Sequence, residues 1–439
     1  MYLPPNIILC IQALEQAGFS AYAVGGCVRD HLLGLTPHDY DLCTNAKPAQ
    51  IKEIFSQHPL VLAGEKHGTV GVVLSGEVVE ITTFRTEGTY RDNRHPDSVD
   101  FVDRVEDDLA RRDFTVNAMA YSLKEGLQDP FGGREDLQKG ILRAVGDPAT
   151  RFQEDALRIL RGVRFAVRFR LQPEQKTMQA MQRLAPLMEH LARERVFDEL
   201  CKLLPLVTAQ DLITFSPIVT QVIPELAPCI GFDQRNPHHI YDIYTHIAHV
   251  TEDAPGVLSL RWAALLHDIG KPATFRLDDM GIGHFYGHAQ ESAKLADAIL
   301  LRLKSPTALR QQVVQLIDLH MTRIPVEIKA VRRWLGRLGA ENLEALLALQ
   351  EADMGSKGTG IPAESQQFAQ LRQLICQIQA ENACLSVKDL AINGHDLIAL
   401  GLSGRQIGQA LQTLLELVMD DRLPNEPAAL LSAAKQMKW

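Results

Sequence analysis

The sequence is poor in the features that mark secreted, membrane-spanning or fibrous chains. Its seven cysteines are an odd number with no Cys-x-x-Cys pair, which argues against a disulfide framework or a thiolate zinc site and fits a reducing cytoplasm. No apolar run approaches the ~18 residues of a membrane span, and no low-complexity tract interrupts the chain. The opening segment, MYLPPNIILCIQALEQAGF, has no basic stretch followed by a long apolar run, so no secretion signal is expected. Positive charge is not in excess either. The formal charge of −9 argues against general affinity for nucleic acid while leaving room for a local basic stripe. Hydrophobic residues at 46% and charged residues at 23% are ordinary globular usage, which predicts a soluble folded protein. A length of 439 residues exceeds what one hydrophobic core serves, so about two to four domains are expected.

From about Asn6 to Thr150, β-rich runs alternate with helical ones. AYAVGG, GTVGVVLSGEVVEITTF and NAMAYSL read as strands and PAQIKEIFSQHP as a helix, which predicts an α/β head over residues 1–150. Beyond Phe152 apolar residues recur three and four apart without a strand pattern, so the remainder is expected to be helical. Two breaks, the Pro-containing SPIVTQVIPELAPCIGFDQRNP and the Gly/Ser-rich DMGSKGTGIPAES, divide it into 151–225, 226–360 and 361–439. The expected fold class is α+β, and no repeat of fixed period is present.

The chemistry of the head concentrates in YAVGGCVRDHLLGLTPHDYDLCTNA. Gly25-Gly26 supplies a tight turn, and Asp39 and Asp41, two apart, present both carboxylates to one side if the segment is extended. Paired carboxylates suit Mg²⁺, which takes carboxylate oxygens together with substrate phosphates. Alternation in VEITT places Glu80 and Thr82 on one face, so Glu80 is positioned to look into the same cleft. In ARRDFTVNAMAY, Arg111, Arg112 and Asp113 precede an apolar run expected to be a strand, with Asn117 close behind. Adjacent arginines repel unless an anion sits between them, and guanidinium suits phosphate. Downstream, Arg158, Arg161, Arg164 and Arg168 stand three or four apart along one helical stripe.

The motifs GGCVRDHLLG with HDYDLCTNA, RRDFTVNAMAY, DPFGGREDLQKGILRAVGDP, RFQEDALRILRGVRF and RERVFDEL, in that order over roughly residues 20–200, closely resemble those of bacterial class II tRNA nucleotidyltransferases, the CCA-adding enzymes, and of the related bacterial poly(A) polymerases. The resemblance implies a polymerase-beta-like nucleotidyltransferase head, a helical neck that selects the incoming base, and body and tail helices that hold tRNA. Asp39 and Asp41 would hold Mg²⁺. Gly25, Gly26 and Arg29 would contact the triphosphate, and Arg111, Arg112, Asp113 and Asn117 the triphosphate and ribose. Asp155 and Arg158, i and i+3 on an expected helix, would read the base, with Glu154 bracing Arg158 and with Arg161 and Arg164 on the same nucleotide-binding stripe. A carboxylate accepting from an exocyclic amine and a guanidinium donating to the adjacent ring nitrogen suit cytosine and adenine, and reject uracil and guanine.

Residues 238–353 contain HHIYDIYTHIAHV, LRWAALLHDIGKPATF, GHFYGHAQESAKLA, QLIDLHM and LQEADMGS, which resemble an HD domain, the helical metal-dependent phosphohydrolase family. By that resemblance His246, His267, Asp268 and Asp353 are the core ligands, and His288 and His320 the extra histidines of members that bind two metals. His249, His284 and Asp318 compete for these places. Imidazoles with carboxylates suit a divalent transition metal better than Mg²⁺. The last eighty or so residues read as helices around turns at Asn393-Gly394 and Ser403-Gly404. There Gly404, Arg405 and the helix near Gln406 offer either N–H groups for a phosphate or simple capping.

The resemblance implies a cytoplasmic enzyme that adds CMP twice and AMP once to tRNA from CTP and ATP, with no membrane association and no obligatory protein partner. An A-adding specialist remains an alternative. A poly(A) polymerase would be expected to carry a strongly basic extension, which the sequence to Trp439 does not show. A CC-adding specialist would be expected to lack the loop RTEGTYRDNRHPDSVDF, which is present. Readings of another class are a tRNA-binding protein with a silent head and an HD phosphohydrolase that uses the head for capture, and complete carboxylate motifs at both sites argue against them.

Overall fold

The computed structural model describes residues 1–87, 99–236, 240–356 and 362–437. The middle of the loop expected between the head motifs, from 88 to 98, and the Gly-rich stretch from 357 to 361 lie outside the described residues. The chain divides into two compact units, one made of Met1–Val207 with Thr214–Pro224, the other of Thr208–Ile213 with Glu225–Trp439. No described helix is long and apolar enough to cross a membrane.

The first unit is built on strands β1 (Ala21–Val24), β2 (Asp41–Thr44), β3 (Leu60–Val61), β4 (Thr69–Leu74) and β5 (Glu77–Thr83), the pair β6 (Arg85–Glu87) and β7 (Val99–Phe101), and β8 (Ala120–Ser122) and β9 (Gly126–Gln128). Seven of them form one sheet in the order β3-β4-β5-β2-β1-β8-β9. The run read as a single long strand is the β4–β5 hairpin, with Leu74 paired to Glu77. Its two turn residues, Ser75 and Gly76, have φ of 53° and 86°, the doubly positive geometry that matches strand twist. On β5, Val79, Ile81 and Thr83 are buried while Glu80 is exposed, as a period of two requires. Tyr22, Val24, Cys43, Phe84, Leu109 and Ala120 are among the residues of the core beneath.

The apolar run after the twin arginines is not a strand from its start. Thr115–Asn117 is a single 3-10 turn, and β8 begins only at Ala120. The helical remainder of this unit includes Pro148–Glu154, Leu157–Phe169, Gln175–Leu184 and Arg193–Leu203. Three two-residue strands interrupt the part expected to be wholly helical: Gln172–Pro173 beside Ile141–Leu142, and Arg276–Leu277 beside Gly283–His284. Two residues are too few to show a period.

The second unit is helical. Ile243–Asp253, Leu258–Leu266, His288–Arg302, Thr307–Leu319 and Ala340–Gly355 pack on one another, and Ile328–Leu338, Pro362–Ala380, Gly394–Ala399, Arg405–Met419 and Pro427–Gln436 make up its C-terminal part. There Asn393 caps its helix, its side chain accepting the His395 N–H. Gly404, with φ of 56°, precedes the helix Arg405–Met419, whose start falls next to the expected position near Gln406.

Candidate active site and candidate metal centre

The head carboxylates gather where the chain enters β2. Parallel pairing sets Leu42 beside Ile81, so Asp41 and Glu80, one residue earlier on each strand, point the same way. With Asp39 they line a cavity of about 800 Å³. Protein packed around Asp41 raises its carboxyl above the usual range, Glu80 and Asp39 add to the rise, and Arg112 opposes it. Three acids at one mouth favour a bound cation. Their carboxylate oxygens suit a hard ion of the Mg²⁺ kind, and His38 lines the same cavity.

The twin arginines carry their own counter-charge. Asp108, fully buried in the helix Val105–Ala110, accepts from Arg111 Nε at 3.0 Å and Nη2 at 2.8 Å, and from Arg112 Nη2 at 3.2 Å. Burial alone would raise the Asp108 carboxyl, but Arg112 and Arg111 outweigh it and hold it below the usual range. Asp108 was not marked in the sequence, although its place three and four residues before the arginines is the ordinary helical ion-pair spacing. Arg112 keeps a buried Nε without a partner among the described residues. Its Nη1 lies against the Gly25 turn, 2.8 Å from where a Cβ on Gly25 would stand.

Arg29 is occupied. Its Nε and Nη2 donate to Asp30 Oδ1 and its Nη1 to Asn117 Oδ1, while Phe169 covers its face with the ring centroid 4.2 Å from Cζ. Asp113 is also enclosed, accepting from Arg161 at 2.7 Å and from the Asn117 amide at 3.1 Å. Burial would raise its carboxyl, but Arg161 and Asn117 bring it down to about 2. The expected arginine stripe is therefore not one solvated face. Arg158 pairs with Glu154, Arg161 with Asp113 and Arg164 with Glu199, and only Arg168 is exposed.

Asp155 and Arg158 do not share one continuous helix. Asp155 ends Pro148–Glu154 in extended conformation, φ −139° and ψ 104°, and Leu157–Phe169 begins after it. Its side chain causes the break by accepting the Leu157 N–H at 3.0 Å, a local bond that competes with the helical one. The other oxygen takes Arg195 Nη2 at 2.9 Å, from the helix Arg193–Leu203. Arg195 was not singled out within RERVFDEL. Arg158 Nη1 lies 2.6 Å from Glu154 Oε2, and its Nη2 donates to the Arg111 carbonyl.

In the second unit, His246, His267, Asp268 and Asp353 form one buried group, and Asp268, His288 and His320 a second. Asp268 Oδ2 stands 3.4 Å from His246 Nε2 and 3.2 Å from His267 Nε2, while Oδ1 faces His288 Nε2 at 3.3 Å and His320 Nε2 at 3.9 Å. The Nδ1 atoms of His267, His288 and His320 each meet the carbonyl three residues back, of Ala264, Phe285 and Ile317. With Nδ1–H donating there, each Nε2 lone pair turns inward, the arrangement of metal-ligating imidazoles. The Nε2 atoms of His267, His288 and His320, and Asp268 Oδ1, are buried without hydrogen-bond partners among the described residues. Burial would lower the His267 pKa, yet Asp268 and Asp353 push it up to about 9, whereas burial and His267 push His320 down to about 4. The His267 shift reflects acids that call for a cation, while the His320 shift reflects burial beside another imidazole. His249 instead stacks on Tyr241, His284 pairs with Asp278, and Asp318 is exposed. Lys271, unmarked in the sequence, reaches Asp268 Oδ2 at 2.7 Å.

Three family descriptions match parts of the chain. Residues 21–143 match the family described as poly A polymerase head domain, 170–213 the probable RNA and SrmB-binding site of polymerase A, and 284–434 tRNA nucleotidyltransferase domain 2. The CCA-adding enzyme of Lactobacillus helveticus is 32% identical over 96% of this chain and 94% of its own. That of Latilactobacillus sakei is 35% identical over 97% and 96%. The chain belongs to the CCA-adding enzyme family. The Bacillus stearothermophilus CCA-adding enzyme, solved in complex with CTP, superposes with a TM-score of 0.74 at 28% identity, covering 99% of this chain and 98% of that one. The Thermotoga maritima CCA-adding enzyme, at 21% identity and a TM-score of 0.60, shares the fold. The match to CCA-adding enzymes thus runs from the carboxylate strand through the C-terminal helices.

Proposed function

We propose that this protein completes tRNA 3′ ends, transferring CMP twice and AMP once from CTP and ATP without a nucleic-acid template and releasing pyrophosphate. The observation that carries the reading is the joining, in one unit, of the Asp39, Asp41 and Glu80 mouth to the Arg112 turn and to the Asp155/Arg158 pair. Asp39 and Asp41, with Glu80 beside them, would hold Mg²⁺. When bound, it activates the terminal 3′-hydroxyl and offsets charge developing on the α-phosphate. Arg112, with its unpartnered Nε, and Arg111 receive the triphosphate at the Gly25–Gly26 turn. Asp155 and Arg158 read the base edge, each fixed from behind by Arg195 and Glu154. The A-adding and poly(A) readings are not favoured, since relatives that match end to end are CCA-adding enzymes. Residues 1–150, 151–225, 226–360 and 361–439 would serve as catalytic head, selecting neck, body and tRNA-binding tail, in a cytoplasmic enzyme.

The body is proposed to carry an HD-type phosphohydrolase centre for one or two divalent transition metals. His246, His267, Asp268 and Asp353 would hold one, with His288 and His320 completing a second across Asp268. The inward Nε2 atoms, gathered around Asp268 without hydrogen-bond partners among the described residues, support this set over the alternatives.

The direct test is to incubate the protein with tRNAs ending before the first C, before the second C and before the A, with CTP and ATP apart and together, and to sequence the ends. Stepwise completion is expected, and addition of A alone to every end would overturn the reading. Asp155→Ala or Arg158→Ala should erode discrimination against UTP and GTP by about tenfold or more, since each base-edge contact is worth ~1–3 kcal/mol. Unchanged selectivity at reduced rate would refute base reading by these side chains. Gly25→Ala should impair CTP and ATP binding together, because φ of 77° strains any other residue and the new Cβ meets Arg112. Nucleotide titration of the variant checks this, and unaltered affinity for both would count against the turn.

A further inference from the structure

We infer that Phe165 and Phe169 are positioning residues for nucleotide selection: they clamp Arg29 of the head to the helix that carries Arg158, and so fix where the base is read relative to where the triphosphate lies. The inference rests on the proposed reading of Asp155 and Arg158. Its basis is a closed circuit of contacts. From the Gly26–Leu32 helix, Arg29 Nη1 donates to Asn117 Oδ1 at 2.5 Å, and Asn117 Nδ2 donates to Asp113 Oδ1 at 3.1 Å. Asp113 Oδ2 accepts from Arg161 Nε at 2.8 Å and Nη2 at 2.7 Å. Arg161 Cζ lies 5.3 Å from the Phe165 centroid, Phe165 stacks on Phe169 at 6.1 Å, and Phe169 returns to Arg29 at 4.2 Å.

The rings do what aliphatic side chains cannot. Arg29, Arg161 and Arg164 all approach Phe165, and Arg168 approaches Phe169. Such a gathering of like charge is held together by the negative ring faces as well as by Asp30, Asp113 and Glu199. Arg29 is 6% exposed, with no face open to a ligand on the Phe169 side. The helix Leu157–Phe169 is about 18 Å long and carries Arg158 at one end and Phe169 at the other. A clamp at the far end therefore sets the angle at which Arg158 meets the base. Because Phe169 is only half-buried, unlike Phe165 at 5% exposure, changing it tests the clamp without opening the core.

The test compares Phe169→Leu, which keeps apolar bulk and removes the ring face, with Phe169→Tyr, which keeps the face. In the full-length protein, CMP, AMP and UMP incorporation into tRNA is measured with KM and kcat resolved, beside the thermal unfolding midpoint. Phe169→Leu is expected to raise the KM for CTP and ATP about tenfold and to increase UMP misincorporation, with kcat changed about threefold or less. Phe169→Tyr should stay close to the unaltered protein. Arg29→Lys, which loses the Asn117 and Asp30 contacts, should reproduce Phe169→Leu, and the double variant should be no worse than the poorer single one. Equal impairment by Leu and Tyr, an unaffected Phe169→Leu, or additive losses in the double variant would overturn the clamp. A protein that adds neither CMP nor AMP would overturn the underlying function, and the clamp with it. If it adds both and loses base discrimination on Asp155→Ala, the function stands and the Phe169 pair judges the clamp alone.

Discussion

Asp41→Ala is expected to reduce nucleotide addition by about three orders of magnitude or more while leaving tRNA binding within about twofold. The asymmetry follows from what the side chain touches. Asp41 begins β2 beside Glu80, lines the cavity with Asp39, and carries a pKa raised by burial and by those acids. Its carboxylate is placed to hold a cation, not the RNA backbone, which it would repel. Charge stabilisation of this kind is worth several kcal/mol in phosphoryl transfer, and each ~1.4 kcal/mol is a factor of ten. Asp39→Ala should act in the same direction. Single-turnover CMP incorporation, paired with a filter-binding or mobility-shift titration of tRNA, separates the two effects. Near-normal turnover in either variant would remove that carboxylate from the metal site. A parallel loss of tRNA binding would mean that the mouth shapes the RNA site instead.

The second large effect separates the two centres. His267→Ala combined with Asp268→Ala removes one ligand of the first group and the residue that both groups share. Stoichiometric binding of Mn²⁺ or another divalent transition metal, measured by calorimetry or elemental analysis, should fall to background in this variant. Hydrolysis of a 2′,3′-cyclic phosphate should disappear with it. CMP and AMP incorporation should persist, because the head supplies its own carboxylates. Circular dichroism must show the variant folded, since Lys271 also relies on Asp268. Loss of incorporation in a folded variant would mean that the metals of the body hold the tRNA in place. An unaltered protein that binds no metal and hydrolyses nothing would make this cluster a structural core of polar side chains.

How far the sequence reached can be seen residue by residue. The alternation in VEITT placed Glu80 beside the aspartates, because a period of two survives in any paired strand and needs no knowledge of the neighbour. The head motifs were legible for a similar reason, since each depends on spacing within one segment, whereas the β4–β5 hairpin was hidden inside what reads as one long strand. Most of the hidden residues are partners of charges already marked. Glu199 takes Arg164 and Arg195 takes Asp155 from distant segments, while Asp108 pairs with the twin arginines and Lys271 with Asp268 from close by in the chain. Asp108 and Lys271 had ordinary helical spacing to their targets, but one acid among many near two arginines is not distinctive until burial encloses it with them.

By itself, the sequence determined the α/β head with helices behind it, the two sets of candidate ligands and the membership of a known family. These follow from periodicity, turn residues and local motifs, which one stretch of chain specifies alone. Tertiary structure decided which guanidinium groups are spent on internal acids and which stay available. It buried Arg29 under Phe169, broke the helix at Asp155, and turned four imidazoles toward one shared carboxylate. The physical reason is that charge and hydrogen-bonding capacity are fixed by residue type, whereas the partner that consumes them is fixed by which distant segments burial brings within about 3 Å.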